Sequence, residues 1–397
     1  MEKKGYNLIQ VIIIIVVTSV ISGLTTGVIF TKSADVGKGM SYSELVADNS
    51  VKEFLEVYSE IVGDYYEDVN KDEMVQKAID AMMQYLDESY TTYLDEDAAD
   101  SLMEQLNGKY EGIGITVKDR KVINVIAGSP AEKNGIMSGD EIVSVNDMLV
   151  EGKTTEEIVY LIKSNADNVI LEVLRNGNSM TFVMAITTLS VPSVSYYMTE
   201  NAEVGYMQIS VFASKLSNEV ETALNSLKEQ GAKKMIIDLR NNTGGYLDEA
   251  YKTASLFLDK GKLIYSLSTK DGVEEVIDGD NNSEQMPIAV LINGSTASAA
   301  EILAGALKDS YGATLLGLTS FGKGKVQHTY TLKDGGLVKY TSSKWLRPNG
   351  ECVDNVGITP DYIIENEYIL DNSDPENIII TGVVDKQYEK AMELLNV

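Results

Sequence analysis

The sequence predicts a mixed α/β protein with a mainly parallel sheet. Helices, a compact β-rich module and an apolar membrane anchor are expected to precede that sheet. From about residue 190, continuous apolar strands such as "KKMIIDL" and "PIAVLIN" alternate with helical segments, which is typical of a covered parallel sheet. Residues 108–189 instead contain short strands between turn signals. Their single helix follows Thr154, which has capping-box spacing to Glu157.

The N-terminal segment is expected to be a retained, single-pass anchor in the cell membrane. Residues 8–30 carry no charge and are long enough to cross a bilayer, which takes about 20 residues. Because Lys3 and Lys4 precede this run and an acidic chain follows it, the positive-inside rule places residues 1–7 in the cytoplasm and the rest outside. The alternative is a cleaved signal peptide, whose apolar region would be shorter, roughly 7–15 residues.

The remaining boundaries follow from changes of pattern. Residues 31–49 are polar and rich in small side chains, which predicts a tether. Residues 50–107 are expected to be helical, because Val51, Phe54, Leu55 and Tyr58 share one helical face that suits packing or dimerisation. The α/β core is assigned to residues 190–366, and a C-terminal helical tail is expected over residues 367–397.

Composition excludes several kinds of partner and cofactor. The net charge is −27 in 397 residues and arginine occurs at only four positions, so nucleic acid is not expected as a partner. The single cysteine, Cys352, allows no internal disulfide. With one histidine, His328, and no cysteine cluster, the chain has no convincing metal site, and no cofactor is expected.

The stretch "NGSTASAAE" is a candidate nucleophile site. Ser298 follows a buried strand and starts an alanine-rich helix, where unpaired N–H groups and the helix dipole suit a developing oxyanion. The structural alternative is an ordinary helix cap, since Glu301 lies three residues later. His328 is the first candidate for the base, but it lies in an alternating strand segment and has the pattern of a structural residue; a Ser–His hydrolase that uses it is the alternative.

Lysine can replace histidine as the base if burial keeps its amine neutral. Lys323 lies in "SFGKGKVQ" with a glycine on each side, so the backbone can bend and approach neighbouring segments closely. Gln327 would share a face with Lys323 and could orient the amine through its amide oxygen. A surface turn or an anion-holding loop are the alternatives for this stretch.

The stretch "DLRNNTGG" ends another strand with two glycines. Its backbone N–H groups could serve a site at the carboxyl edge of the sheet. The alternatives are an ordinary turn and, for Asp238 and Arg240, a structural ion pair.

Together these stretches resemble the C-terminal processing peptidases, also called tail-specific proteases, which are Ser–Lys serine endopeptidases with a PDZ domain. "DLRNNTGG", "VLINGSTASAAEILAGALKD" and "SFGKGKVQ" match the three blocks of the family in order, and "GITPD" matches a later block. "YEGIGITV" and "AGSPAEKNGIMSGDEIVSVND" are similar to the PDZ domain, which would occupy residues 108–189.

The resemblance implies a catalytic set. Ser298 would be the nucleophile, Lys323 the general base and Gln327 the residue that orients Lys323. The backbone N–H groups of Ala299 and of Gly244 or Gly245 would form the oxyanion hole. The departures from the family pattern, Thr243 for a common proline and Ala300 for a common serine, remove no group that this mechanism requires.

The resemblance also implies a substrate class: proteins with exposed apolar C-terminal tails, held by the PDZ domain through strand addition. The carboxylate loop and strand would be Gly112, Ile113, Gly114 and Ile115. Helix residues Ile158 and Leu161 would line the apolar pocket, and Arg175 would either relay a signal to the core or simply end a surface strand. A homodimer through the helical ends is a further expectation. The rival interpretation is a membrane-tethered PDZ protein with an inactive core.

Overall fold

The computed structural model describes residues 41–164, 168–190, 192–281, 283–332, 335–371 and 379–396. The chain divides into two compact units, Met1–Ala78 and Ile79–Val397. The expected anchor, residues 8–30, and the tether as far as residue 40 lie outside the described residues. Within the described ranges, no helix is both long enough and apolar enough to cross a membrane.

The described part of the first unit starts with two helices, α1 (Tyr42–Ala47) and α2 (Asn49–Asp64). Helix α1 shows that the predicted tether is wrong at its C-terminal end. Its local cause is a capping box: the Ser41 N–H donates to Glu44 Oε2 at 2.7 Å, and the Glu44 N–H donates to Ser41 Oγ at 3.3 Å. Helix α2 keeps Phe54 and Leu55 exposed within its unit.

The next elements are α3 (Lys71–Tyr85), β1 (Thr92–Leu94), α4 (Glu96–Leu106) and β2 (Lys109–Gly112). The region from residue 50 to residue 107 is therefore not wholly helical, since β1 is a strand. Strand β1 belongs to a sheet formed with much later parts of the chain, which local periodicity cannot reveal.

In its described residues, the β-rich module adds seven strands to β2 and has two helices, where the sequence predicted one. Its elements are β3 (Ile115–Lys118), β4 (Lys121–Val125), α5 (Pro130–Asn134), β5 (Glu141–Val145), β6 (Met148–Leu149), α6 (Thr155–Lys163), β7 (Val169–Arg175), β8 (Asn178–Met184) and β9 (Thr187–Ser190). The main sheet has the order β3-β4-β5-β7-β8, so β3 is an edge strand. Strand β9 pairs antiparallel with β2 and joins the two ends of the module. The capping box at Thr154 and Glu157 forms as predicted.

The core follows as an α/β arrangement. Its elements are β10 (Val194–Met198), β11 (Val204–Ile209), α7 (Leu216–Glu229), β12 (Lys234–Asp238), α8 (Leu247–Ser255), β13 (Leu263–Thr269), β14 (Gly272–Ile277), β15 (Ile288–Ile292), α9 (Ala299–Ala306), a π-helical turn (Leu307–Tyr311), β16 (Thr314–Gly317), β17 (Lys325–Thr331), β18 (Leu337–Leu346) and β19 (Tyr362–Ile363).

The central sheet has the order β10-β11-β12-β15-β16-β19, and only the β10–β11 pair is antiparallel. The mainly parallel sheet predicted from the apolar strands is therefore confirmed. All five residues of β15 are buried, as expected for a strand covered on both faces. The carboxyl ends of β12 and β15 lie side by side and carry the turns at Asn241 and Asn293.

A second sheet, with the order β1-β18-β13-β14 and β17 paired on β18, lies beside the central one. Its strands β17 and β18 pair antiparallel, with Gln327 opposite Thr341. The tail then forms an antiparallel pair, β20 (Glu367–Asp371) and β21 (Ile379–Val384), before helix α10 (Lys386–Leu395). The predicted helical tail is thus wrong over Glu367–Asp371 and Ile379–Val384, where β-branched residues such as those of "IITGVV" favour a strand.

Candidate active site

Ser298 occupies a strained position between β15 and α9. Its backbone has φ 56° and ψ −120°, which few residues with a side chain adopt. The Ser298 N–H donates to Glu301 Oε2 at 2.8 Å. The capping contact with Glu301 that the spacing predicts is therefore made in spite of the strain, and the Ser298 side chain is partly exposed.

The glycine turn after β12 touches the serine directly. A Cβ on Gly244 would lie 2.8 Å from Ser298 Cβ and 3.0 Å from the Ala299 nitrogen, so only glycine fits there. Buried Asn242 fixes the turn: its amide donates to Ile209 O at 2.8 Å, and its backbone carbonyl accepts from the Ala297 N–H at 2.9 Å. The strand ends of β12 and β15 are therefore joined around the serine.

The predicted oxyanion donors differ in their hydrogen bonds. The Gly244 N–H donates to Asn242 Oδ1 at 2.8 Å, so it is already engaged. Among the described residues, no hydrogen-bond acceptor faces the N–H of Gly245 or that of Ala299. These two groups are therefore the ones free to receive a ligand oxygen.

Glu301 connects the serine to the lysine loop, a role that sequence reasoning missed. Its side chain is fully buried, and its carboxylate accepts bonds from the N–H groups of Ser298, Gly322 and Lys323 at 2.8, 2.8 and 2.9 Å. The Ser320 hydroxyl donates to the same carboxylate at 2.6 Å. Since Ser298 and Lys323 share the oxygen Oε2, the two loops are held together at one atom. The three-residue spacing of Ser298 and Glu301 predicted only the contact with the Ser298 N–H.

Two further contacts set the path of the lysine loop. Trp345 Nε1 donates to the Lys323 carbonyl at 3.0 Å. A Cβ on Gly324 would lie 2.5 Å from the Asp354 nitrogen, so this glycine permits the close approach that the sequence predicted. The Lys323 side chain is half-buried, with its amine 5.1 Å from the centre of the Tyr90 ring.

Burial lowers the pKa of the Lys323 amine, because the ammonium form loses hydration. The nearby Lys339 ammonium lowers this pKa further, whereas Glu301 and Glu88 oppose the shift. A lysine with a lowered pKa is a better proton acceptor near neutral pH than a solvated one. In the described part of the chain, no hydrogen bond joins the Lys323 amine to Ser298 or to Gln327.

Gln327 and His328 lie on β17. The Gln327 amide nitrogen donates to the Lys325 carbonyl at 3.2 Å, so its predicted contact with Lys323 is not made in this arrangement and its orienting role stays a prediction. The His328 side chain is exposed and packs beside Tyr340, with ring centres 5.7 Å apart. The exposed Cys352 is a free thiol.

Asp238 and Arg240 form the ion pair that was the structural alternative for "DLRNNTGG". Arg240 Nη2 lies 2.5 Å from Asp238 Oδ2, and its Nη1 donates to Asp385 at 2.8 Å. The Tyr206 hydroxyl donates to Asp238 at 2.6 Å. This cluster ties the cap of helix α10 to the end of strand β12.

In the β-rich module, Gly112, Ile113, Gly114 and Ile115 line a groove of about 470 Å³ between edge strand β3 and helix α6. The helix contributes Val159 and Ile162 to this groove. The sequence-based prediction of Ile158 and Leu161 differs from this lining by one residue at each position, and Ile158 is fully buried in the module.

Arg175 lies within the same module and binds the Asp140 carboxylate with two bonds, at 2.6 and 2.7 Å. It also donates to the Gly135 carbonyl at 2.7 Å. The guanidinium lowers the pKa of the Asp140 carboxyl. These contacts give Arg175 a structural role inside the module.

Comparison with known families and proteins agrees with this architecture. A model described as peptidase family S41 matches residues 203–364, and a PDZ-domain model matches residues 121–175. A model of the activating protease CtpB N-terminal domain matches residues 28–98. The expected PDZ domain is thereby confirmed.

Individual proteins extend the match over most of the chain. The carboxy-terminal processing protease CtpA of Bacillus subtilis is 36% identical over 89% of this chain and 76% of its own length. A probable CtpA-like serine protease of Staphylococcus aureus is 34% identical over 90% and 72%. A structure of the photosystem II D1 C-terminal processing protease shares 26% identity and a TM-score of 0.50, over 81% and 88% of the two chains. The chain therefore belongs to peptidase family S41, as a serine-type endopeptidase of the carboxy-terminal processing group.

Proposed function

We propose that the chain is a membrane-anchored processing protease that hydrolyses peptide bonds with a Ser298–Lys323 dyad. The observation that carries this proposal is the shared Glu301 oxygen, which accepts the N–H groups of both residues at 2.8 and 2.9 Å. The lowered pKa of the Lys323 amine suits a general base. The exposed position of His328 beside Tyr340 supports lysine over histidine as that base.

In the proposed reaction, the neutral Lys323 amine accepts the proton of the Ser298 hydroxyl while the serine oxygen attacks the peptide carbonyl. The N–H groups of Gly245 and Ala299 stabilise the oxyanion, because they have no competing acceptor in the described structure. The Lys323 ammonium then protonates the leaving amine. Lysine next takes a proton from a water molecule whose oxygen attacks the acyl carbon, and it returns that proton to the Ser298 oxygen as the acyl–oxygen bond breaks.

Gln327 has an orienting role in this proposal. When its amide turns away from the Lys325 carbonyl, its oxygen can accept a hydrogen bond from the Lys323 amine. Such tightening on substrate binding is common in catalytic sites whose hydrogen bonds are open in the free protein.

The substrate class follows from the PDZ groove. An extended C-terminal tail would add to edge strand β3, with its carboxylate on the loop at Gly112, Ile113, Gly114 and Ile115. Val159 and Ile162 would contact the last apolar side chain. The names of the similar proteins, which describe carboxy-terminal processing, support this substrate class.

The uncharged run of residues 8–30 supports a single-pass anchor with residues 1–7 in the cytoplasm and the protease on the outer side of the cell membrane. The exposed apolar side chains of α2, such as Phe54 and Leu55, support a homodimer through the helical ends.

The test is cleavage of fluorescein-labelled casein by the full chain in lipid vesicles. Ser298→Ala and Lys323→Ala are expected to reduce the rate by about 10³-fold or more. His328→Ala, which alters an exposed side chain, should keep the wild-type rate. Wild-type cleavage by Ser298→Ala would overturn the proposal. An inactive wild-type chain that still binds apolar C-terminal peptides would favour the rival PDZ binding protein.

A further inference from the structure

A short segment before the PDZ domain reaches across to the lysine loop. This segment, Glu88–Leu94, is called the strap, and it ends in strand β1. Strand β1 pairs antiparallel with β18 in the register Thr92 with Lys339 and Leu94 with Leu337. Residues far apart in the sequence therefore meet beside the candidate base.

Glu88 attaches the strap by its carboxylate. Glu88 Oε1 lies 3.0 Å from the Lys325 amine, and Oε2 accepts bonds from the hydroxyls of Thr91 and Thr341. The Thr341 N–H donates to Thr91 Oγ1 at 3.1 Å. These donors hold the pKa of Glu88 at about 2, in spite of its partial burial, so the carboxylate stays ionised at neutral pH.

Tyr90 lies between two lysines of the same loop. Its ring centre is 5.1 Å from the Lys323 amine and 5.6 Å from the Lys325 amine, distances at which an aromatic face attracts a cation. The two amines have different surroundings: Lys325 is paired with Glu88, whereas no acceptor within the described residues bonds the Lys323 amine. The Tyr90 ring thus lies against the Lys323 amine, whereas Glu88 pairs with the Lys325 amine.

The charged groups around Lys323 come from three elements. Lys339 on β18 favours the neutral amine, while Glu301 on α9 and Glu88 on the strap favour the ammonium. The attraction of the Tyr90 ring for a cation also favours the ammonium. Burial is the largest influence on the pKa of the Lys323 amine, and it favours the neutral form. The exclusion of water by the strap should therefore lower this pKa by more than the attraction of the Tyr90 ring for the ammonium raises it.

We infer that Tyr90 is a positioning residue for Lys323, held in place by Glu88, and that the docked strap shields the amine from water. This inference rests on the proposed function, because it assigns Lys323 as the base. It makes the strap a structural part of the catalytic centre.

The experiment measures the pH dependence of kcat/KM for labelled casein with the full chain in vesicles. Tyr90→Ala admits water to the Lys323 amine. Because water stabilises the ammonium form, the pKa of Lys323 should rise, and the acidic limb of the pH profile, where kcat/KM increases with pH, should move to higher pH by about one unit. Tyr90→Phe keeps the ring and should retain the wild-type limb. Tyr85→Ala, on a neighbouring tyrosine that is 88% exposed, is the matched control and should leave the limb unchanged.

A second measurement needs no catalysis. An amine-reactive reagent acylates Lys323, and mass spectrometry follows the extent of acylation as a function of pH. The midpoint of this curve should also move to higher pH in Tyr90→Ala. Melting curves check that the variants fold. If the limb and the midpoint of Tyr90→Ala both match the wild type, the inference is wrong, even where Lys323→Ala is inactive. If Lys323→Ala is fully active, the proposed function itself fails.

Discussion

The proposed nucleophile and the proposed base are held by different kinds of structure. Ser298 is fixed by the backbone of one sheet edge, where the Asn242 carbonyl binds the Ala297 N–H and Gly244 packs on the serine. Lys323 lies in a loop between two sheets and is covered by Tyr90 from a segment more than 200 residues earlier in the chain. Among the described residues, Glu301 is the one whose side chain hydrogen-bonds the backbone N–H groups of both Ser298 and Lys323.

The difference suggests how the site is built. The serine side depends on local glycine and asparagine geometry, so it should tolerate changes elsewhere in the protein. The lysine side depends on long-range docking, so its protonation should respond to the N-terminal region. Breaking each side separately tests this division.

The largest effect is expected from Glu301→Gln, which disrupts both sides at once. The Glu301 carboxylate now accepts hydrogen bonds from the N–H groups of Ser298, Gly322 and Lys323. In the glutamine variant, the amide NH₂ group would face one or more of these N–H donors. We expect a loss of about 10²-fold or more in kcat/KM and about 3 kcal/mol in the free energy of unfolding. Casein cleavage and denaturant unfolding measure the two losses.

The matched control is Glu275→Gln, which alters an exposed carboxylate on β14. It should leave both quantities near their wild-type values, since such surface changes fall within about 0.5 kcal/mol. If Glu301→Gln behaved like this control, the bridging role of Glu301 would be wrong.

A smaller effect is expected from Gly244→Ala, which breaks only the serine side. The added methyl would lie 2.8 Å from Ser298 Cβ, so the turn must move and the oxyanion donors with it. We expect kcat to fall by about 10²-fold, as for the loss of one oxyanion donor, with the acidic limb of the pH profile unchanged.

Gly261→Ala separates this clash from backbone strain. Gly261 also has a positive φ, 85°, but no atom lies within 4 Å of the position of an added Cβ. This variant should lose about 1 kcal/mol of stability and keep its activity. Equal activity losses in the two glycine variants would show that contact with Ser298 is not the cause.

The sequence predicted Ser298 and Lys323 because each has a local signature, a strand-to-helix junction and a lysine between glycines. It also predicted the contact between Ser298 and Glu301 from their spacing. The second contact of Glu301, with the Lys323 loop, depends on how β16 and β17 return to helix α9. Local spacing carries no information about that return.

The errors have similar physical causes. Local periodicity predicts a helix through the strap, because its strand forms only by pairing with β18. A shift of one residue rotates a helical position by about 100°, which is the difference between the predicted Ile158 and Val159, which lines the groove. The helical pattern of α10 does not extend back to β20 and β21, which form strands by pairing with each other.

The smallest effect is expected at the PDZ groove, which lies apart from both halves of the dyad. Val159→Ser removes part of the apolar lining and should raise KM about tenfold for a substrate with an apolar C-terminal tail. Cleavage of a peptide without that tail should not change. Tyr160→Ser, on an adjacent side chain that is 69% exposed, is the control. A higher KM for both substrates would contradict a role in tail binding.

The most direct test of the Ser298–Lys323 dyad is the rate at which a fluorophosphonate labels Ser298, measured from pH 5 to pH 10 in the wild type and in Lys323→Met. Because burial lowers the pKa of the amine, the wild-type labelling rate should rise with pH along a single limb that lies below the ordinary lysine range near 10.5. Lys323→Met should lose this limb and label at least about 10²-fold more slowly. If Lys323→Met keeps both the limb and the rate, Lys323 is not the base.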